Sequence, residues 1–203
     1  MTSQIQDDKF GIYIRECQDK AIELGASDAR IISPDMISIE DEIIEMCKAP
    51  LYEGYGKSAN CPPHVIRPME ARELIRGYPA ALLFKIDVPS ELLLSEDRFD
   101  SFSKVYIIAS DLETLSIEAG YTCSKGLAAG SCKAVFCYDI PCEALIHGKE
   151  CRFPSLSRPS MEALGINVFQ LVKEVGWEIH PILRDSDPKE VPNGMLTGLV
   201  LVS

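Results

Sequence analysis

The 203-residue sequence predicts an α+β fold, in which a mixed or largely antiparallel sheet carries helices packed on one side. Stretches with helical periodicity and stretches rich in β-branched residues are mixed along the chain, without a steady strand–helix–strand rhythm. Neither G-x-G-x-x-G nor G-x-x-x-x-G-K-S/T occurs, so a nucleotide-binding α/β fold lacks support. Because there is no internal repeat or linker, residues 1–203 are expected to form one domain that contains an irregular cysteine-rich loop.

The first third of the chain is predicted to contain one helix and two extended stretches. Apolar residues from Phe10 to Leu24 recur at intervals of three and four, which predicts a helix that stops at Gly25. Residues 29–33 predict a strand, and residues 37–47 are interpreted as a second extended stretch. Repeated Pro and Gly predict a loop over residues 48–64.

The middle of the chain is predicted to contain a helix, a central strand, a long helical region and one more strand. Residues 67–76 favour a short helix, and β-branched and aromatic content at residues 80–88 favours a central strand. Ser90 is a candidate cap for a helical region that extends to about Ala119. Residues 121–129 then favour another strand.

The C-terminal third is predicted to hold two helical segments and a pair of strands. Residues 160–164 predict a helical turn that Ser160 caps, and Asn167 begins a second helix. Residues 177–183 and 195–202 are interpreted as a terminal strand pair joined by a polar loop.

Composition and charge disfavour several classes of partner. The chain has 31 acidic and 20 basic residues, so its formal charge of −11 repels nucleic acid and anionic membranes. The polar N-terminus does not resemble a signal peptide, and no apolar run approaches the roughly 20 residues that a membrane helix needs. We therefore expect a cytoplasmic protein, whose thiols stay reduced and are available for metal binding.

Four cysteines within twenty residues form the strongest chemical signal. The loop cysteines, with the spacing C-x4-C-x4-C-x8-C, are Cys132, Cys137, Cys142 and Cys151. Closed zinc sites usually use two C-x2-C turns, which this loop lacks, whereas wide spacing suits ligands on separate iron atoms of a cluster. A [4Fe–4S] cluster, a structural zinc ion and the absence of any metal all remain open at this point. The metal-binding segment is expected over about residues 123–165.

Three stretches resemble one family: residues 55–63 with their Tyr-Gly and Cys-Pro-Pro elements, residues 130–154, and residues 158–168. Together they are similar to the prokaryotic DUF2284 family of predicted metal-binding proteins, over most of the chain from about residue 29 to 175. The resemblance implies metal binding through the cysteine loop, in the form of an iron–sulfur cluster, in anaerobic metabolism. Family members often carry a further Cys where this chain has Tyr52. An N-terminal site of three cysteines is therefore reduced here to Cys47 and Cys61.

Cys47 and Cys61, with Tyr55, form a possible second site. They are interpreted as packed structural thiols, as ligands of a second metal or substrate together with Tyr52, Tyr55 or His64, or as a redox pair. Two other cysteines, Cys17 and Cys123, are predicted to be core residues.

Three functions compete at this stage, and no catalytic residue can be assigned. The first is an iron–sulfur protein that passes electrons to a partner protein or a small-molecule cofactor. The second is a metal-dependent reductase with a substrate or cofactor site near Cys47 and Cys61. The third is an interaction module in which a structural zinc ion stabilises the cysteine segment. Arg158 and Glu162 could pair as a solvated salt bridge. The oligomeric state stays open, including a homo-oligomer.

Overall fold

A computed structural model describes residues 2–48, 54–182 and 186–203. The α-helices in these residues are α1 (Thr2–Glu23), α2 (Asp41–Lys48), α3 (Pro68–Arg76), α4 (Ser90–Leu93), α5 (Arg98–Glu118), α6 (Cys132–Phe136), α7 (Glu143–Ile146) and α8 (Val168–Glu174). The strands are β1 (Asp28–Ile32), β2 (Ala80–Pro89), β3 (Lys125–Leu127) and β4 (Asn193–Val202). Two 3-10 turns cover Pro34–Met36 and Glu162–Leu164.

The four strands form one open antiparallel sheet in the order β1-β2-β4-β3. Strands β2 and β4 pair along their full length, with Ala80 opposite Val202 and Pro89 opposite Asn193. The last strand of the chain therefore lies inside the sheet, between β2 and β3. The predicted α+β class with a largely antiparallel sheet is confirmed.

Both faces of the sheet are buried. On β2, Leu82 and Phe84 face the long helices α1 and α5, whereas Ala81 and Leu83 face a second core formed with α3 and α8. The expectation of helices on one side therefore holds only for the two long helices. The physical reason is the apolar run at the start of β2, which has no polar face to leave in water.

Gly198 on β4 is required by this packing. A Cβ atom at this position would overlap the ring of Phe84, which lies on the neighbouring strand β2 directly opposite. The missing side chain makes room for a fully buried Phe84 in the core under α1 and α5.

Residues 37–47 do not form an extended stretch, because most of them belong to α2. Only Ile39 makes an isolated bridge, with Ile166. Charged residues at both ends favour the helix over an extended stretch. Asp41 lies in the first turn of α2 and Lys48 in its last turn, and both charges complement the helix dipole. Ile43, Ile44 and Cys47 are partly buried, and their spacing places them on one side of the helix.

The terminal strand pair is also wrong. Residues 177–182 are irregular, and Leu183 lies outside the described residues. Strand β4 pairs with β2 along its full length and with β3 only at residues 199–201, and none of residues 177–182 forms a ladder with β4. Trp177 is instead buried and donates a hydrogen bond from Nε1 to Asp28 Oδ2 (3.0 Å).

Other elements agree with their predictions within a few residues. Gly25 follows the end of α1 with φ 106°, and Asn167 Oδ1 accepts a hydrogen bond from the Gln170 N–H at the start of α8. Ser90 does not cap α4, because Pro89 takes the position before the helix. None of the described helices combines the length and apolar character that are needed to cross a lipid bilayer.

Candidate metal centre

The four loop cysteines lie at or near the ends of two short helices. Cys132 is the first residue of α6, and Cys137 follows its last turn, where the Cys137 N–H bonds to the Lys133 carbonyl (3.1 Å). Cys142 precedes α7, and Cys151 follows after a polar turn. Short helices separated by turns bring residues nineteen positions apart back to one place.

All four loop cysteines line a single cavity of about 260 Å³. Cys132 is buried at its base, and the other three are half-buried. The other lining residues are Ser58, Ala59, Asn60, Lys133, Phe136, Ala144, Phe153, Pro154 and Ser157. Phe136 stacks on Phe153 with ring centroids 5.4 Å apart and meets Tyr106 edge to face at 5.2 Å. The aromatic stack therefore gives the cavity an apolar wall that is anchored to α5.

The arrangement differs from a closed site for one metal ion. Four sulfurs around zinc lie about 3.8 Å from one another, because each is about 2.3 Å from the ion. Among the described residues, no group of three or more His, Cys, Asp or Glu side chains is arranged to hold a metal ion. The four sulfurs thus share one cavity without converging on a single point.

Electrostatics disfavour several free thiolates in this cavity. Burial raises the pKa of Cys137, and the neighbouring loop cysteines raise it further. The Lys133 ammonium acts in the opposite direction on the Cys137 pKa, while it donates hydrogen bonds to the carbonyls of Cys137 and Tyr138. A cationic centre would relieve the repulsion among the thiolates, since metal binding releases thiol protons.

Two of the cations near the cysteines are engaged elsewhere. Arg152 and Lys149 both pair with Glu143, at 2.9 and 3.3 Å, and they lower the pKa of that carboxyl. They therefore neutralise a carboxylate on α7 and do not offset sulfur charge. His147 is exposed and does not line the cavity of the loop cysteines.

Arg158 fixes the far end of the cysteine segment to α5. Its Nε lies 2.7 Å from Glu113 Oε2, and its Nη1 donates to the carbonyls of Pro154 and Ser157. The suggested surface pair with Glu162 does not form. Glu162 instead has a buried oxygen, Oε2, with no hydrogen-bond partner among the described residues, and burial raises the pKa of its carboxyl.

The loop over residues 54–64 contributes polar contacts that were not predicted. Ser58 Oγ lies 3.3 Å from Cys132 Sγ, and Asn60 Nδ2 lies 3.7 Å from the same sulfur. Asn60 Nδ2 also donates to Ser157 Oγ (2.8 Å). Both residues belong to the stretch at residues 55–63 that carries part of the family resemblance, and this was the available signal.

Cys47 and Cys61 line neither the cavity of the loop cysteines nor the cavity beside Tyr55. Cys61 is buried, with Sγ 3.2 Å from Ser131 Oγ, and burial raises its pKa to about 11. Cys47 is half-buried, and burial followed by the charge of Glu162 raises its pKa. Neither cysteine lines the cavity of the loop cysteines. Tyr52 lies outside the described residues.

Tyr55 belongs to a different hollow. It lines a cavity of about 250 Å³ together with Lys48, Pro62, Pro63 and Arg67, and neither Cys47 nor Cys61 lines it. Tyr55 and the two cysteines therefore do not share this cavity, although Cys61 lies close enough to Cys47 for the charge of that thiol to raise its pKa.

The two remaining cysteines differ in exposure. Cys17 is buried on α1, as predicted, with Sγ 4.0 Å from Ser116 Oγ. Cys123 is exposed, so its assignment to the core is wrong. It lies in the turn before β3, which is three residues long and shorter than the predicted strand.

The chain matches a family with the description "Predicted metal-binding protein (DUF2284)" over residues 30–202. It belongs to this family, and the match includes every loop cysteine and the whole sheet apart from the first two residues of β1. No curated protein and no solved structure matches the chain. The family description agrees with metal binding in general.

Proposed function

We propose that this member of the DUF2284 family holds a [4Fe–4S] cluster on the four loop cysteines and exchanges single electrons with a redox partner. One observation carries the proposal: all four thiols line a common cavity of about 260 Å³. A cubane cluster is larger than an ion and takes one cysteine at each iron, so it suits separated sulfurs.

The donor set suits this group chemically. Four cysteine thiolates are the usual ligands of such clusters, and each can lose its proton on binding. When bound, the cluster supplies one-electron exchange. The residues of the chain bind and surround it: Phe136 and Phe153 exclude water on one side, and Lys133 adds a positive charge beside Cys137.

Electrons would leave through the open side of the cavity. Three of the four loop cysteines are half-buried, so a partner can come close to the centre. Tyr138 and Ile146, which are 70% and 58% exposed, follow Cys137 and Cys142 in the chain. Apolar side chains beside a redox centre can supply contact area for a transient partner. The partner is a redox protein or a small-molecule cofactor, and we expect the complex in the cytoplasm.

The other two hypotheses have less support. A structural zinc ion is usually held by two C-x2-C turns, which this segment lacks, and the reductase would require a cavity that joins Cys47 to the loop cysteines. Cys47 lines neither of the two cavities described above.

Anaerobic purification with iron, sulfide and zinc quantified per chain tests the proposal. We expect about four iron and four sulfide ions per chain, with an EPR signal after reduction. Cys142→Ala should lose most of this iron, because it removes one ligand from the cavity. Cys123→Ala is the matched control, since Cys123 is exposed and does not line the cavity. One zinc ion per chain without iron would contradict the proposal.

A further inference from the structure

We infer that Ser58 and Asn60 tune the reduction potential of the metal centre by donating hydrogen bonds to Cys132 Sγ. This inference rests on the proposed function, because it concerns the cluster on the loop cysteines. Both residues come from the loop over residues 54–64, far from Cys132 in sequence. They are positioning residues, which act on the centre through one of its ligands.

The surroundings of Ser58 leave its hydroxyl proton available for a sulfur acceptor. Its hydroxyl is buried and accepts a hydrogen bond from the Asn60 N–H (3.2 Å). The single hydroxyl proton can then point at Cys132 Sγ, which lies 3.3 Å away, or at Cys61 Sγ, which the same hydroxyl also meets. A metal-bound thiolate is the stronger acceptor of the two. A sulfur that is bound to a metal is a thiolate and can only accept, so Ser58 must be the donor.

The side-chain amide of Asn60 is oriented by two acceptors. One N–H is directed to Ser157 Oγ at 2.8 Å, and the other is directed to Cys132 Sγ at 3.7 Å. If the amide were reversed, its oxygen would face the thiolate, which is electrostatically unfavourable. The Ser157 contact therefore helps hold the NH₂ group towards the sulfur.

The arrangement is asymmetric among the ligands. Within the described residues, Cys132 Sγ receives two side-chain hydrogen bonds, whereas the sulfurs of Cys137, Cys142 and Cys151 receive none. Hydrogen bonds to cluster sulfurs are among the factors that set reduction potentials, because they stabilise the form with more negative charge. The two hydrogen bonds to Cys132 Sγ thus raise the reduction potential of the cluster through one of its four ligands.

The test compares two variants with a matched control. Ser58→Ala removes the hydroxyl donor, and Asn60→Leu removes the amide donor at similar size without adding charge. Ser131→Ala is the control: it deletes the same group as Ser58→Ala, next to Cys132 in the chain, but its hydroxyl contacts Cys61 Sγ at 3.2 Å. Iron per chain and the midpoint potential from an EPR-monitored titration are measured for all four proteins.

We expect both Ser58→Ala and Asn60→Leu to shift the midpoint potential to more negative values, while Ser131→Ala stays at the wild-type value. Equal potentials in all four iron-loaded proteins would overturn the inference and leave the proposed function intact. A wild-type protein without iron would overturn the proposed function and the inference with it. If Ser58→Ala fails to retain iron, Asn60→Leu provides the same readout.

Discussion

The ion pair between Arg158 and Glu113 gives a stability prediction that can be worked out from the structure. Arg158→Met removes the guanidinium, whose Nε lies 2.7 Å from Glu113 Oε2, and keeps much of the apolar stem. The two side chains are only 13% and 17% exposed. The variant leaves a carboxylate in a mostly buried place, where its remaining partner is the Gly126 N–H.

Removing one partner of a fully buried pair costs about 3–5 kcal/mol. Because both side chains keep some contact with solvent, we expect a loss near the lower limit, about 3 kcal/mol in the free energy of unfolding. For a chain of this size, 1 kcal/mol changes Tm by about 2–4 °C, so the expected decrease is roughly 6–12 °C.

Urea unfolding followed by circular dichroism measures this loss, with every variant prepared at the same metal loading. Glu113→Gln keeps an acceptor for Gly126 but has no charge, so the double variant Arg158→Met/Glu113→Gln should lose less stability than the sum of the single variants. Lys20→Met is the control, because the Lys20–Glu23 pair is 43% and 66% exposed and should contribute about 0–1 kcal/mol. An Arg158→Met loss no larger than that of Lys20→Met, or strictly additive losses, would refute the reasoning.

Three further predictions concern the core, a buried acid and thiol exposure. Gly198→Ala should lower the free energy of unfolding by about 1–3 kcal/mol in the same urea assay, because the added methyl group overlaps the Phe84 ring. The raised pKa of Glu162 means that its contribution to stability is largest below the unfolded pKa and is lost as the pH rises through the folded pKa. Glu162→Gln should therefore gain stability over wild type as the pH rises from 4 to 8, and a flat difference would contradict this. Cys123 should react rapidly with iodoacetamide in the native protein while Cys17 does not, as mass spectrometry of the labelled peptides would show.

Much of the fold follows from local signals in the sequence. Gly25 and Asn167 mark real helix ends because their preferences act within one turn of the backbone. The central position of β2 follows from its unbroken apolar content, which only a sheet covered on both faces can bury. These features do not depend on which distant segment lies next to them.

Two of the mistaken predictions concern segments whose surroundings cannot be inferred from the local sequence. Residues 177–182 have strand-like composition, but they form no ladder with β4, although β3 covers only residues 199–201 of that edge, and Trp177 bonds instead to Asp28 at the start of β1. Cys123 has the character of a core residue, yet its place in a turn leaves it exposed. The α2 helix was missed for a local reason, because β-branched Ile43 and Ile44 outweighed the charges at its ends.

The candidate site was predicted in part. The spacing of the loop cysteines was enough to select them as a group, and the structure brings them to one cavity. Ser58 and Asn60 could not be found by spacing, because their proximity to Cys132 depends on how two segments more than seventy residues apart pack together.

The position of β4 inside the sheet has a consequence for how the chain matures. Among the described strands, β3 pairs only with β4, and the Ala128 N–H just beyond it bonds to the Pro159 carbonyl beside the cysteine segment. On the ribosome, residues 193–202 emerge after every loop cysteine has been translated. The loop cysteines therefore lack a completed scaffold until translation reaches these residues, so we expect the proposed cluster to be inserted after translation.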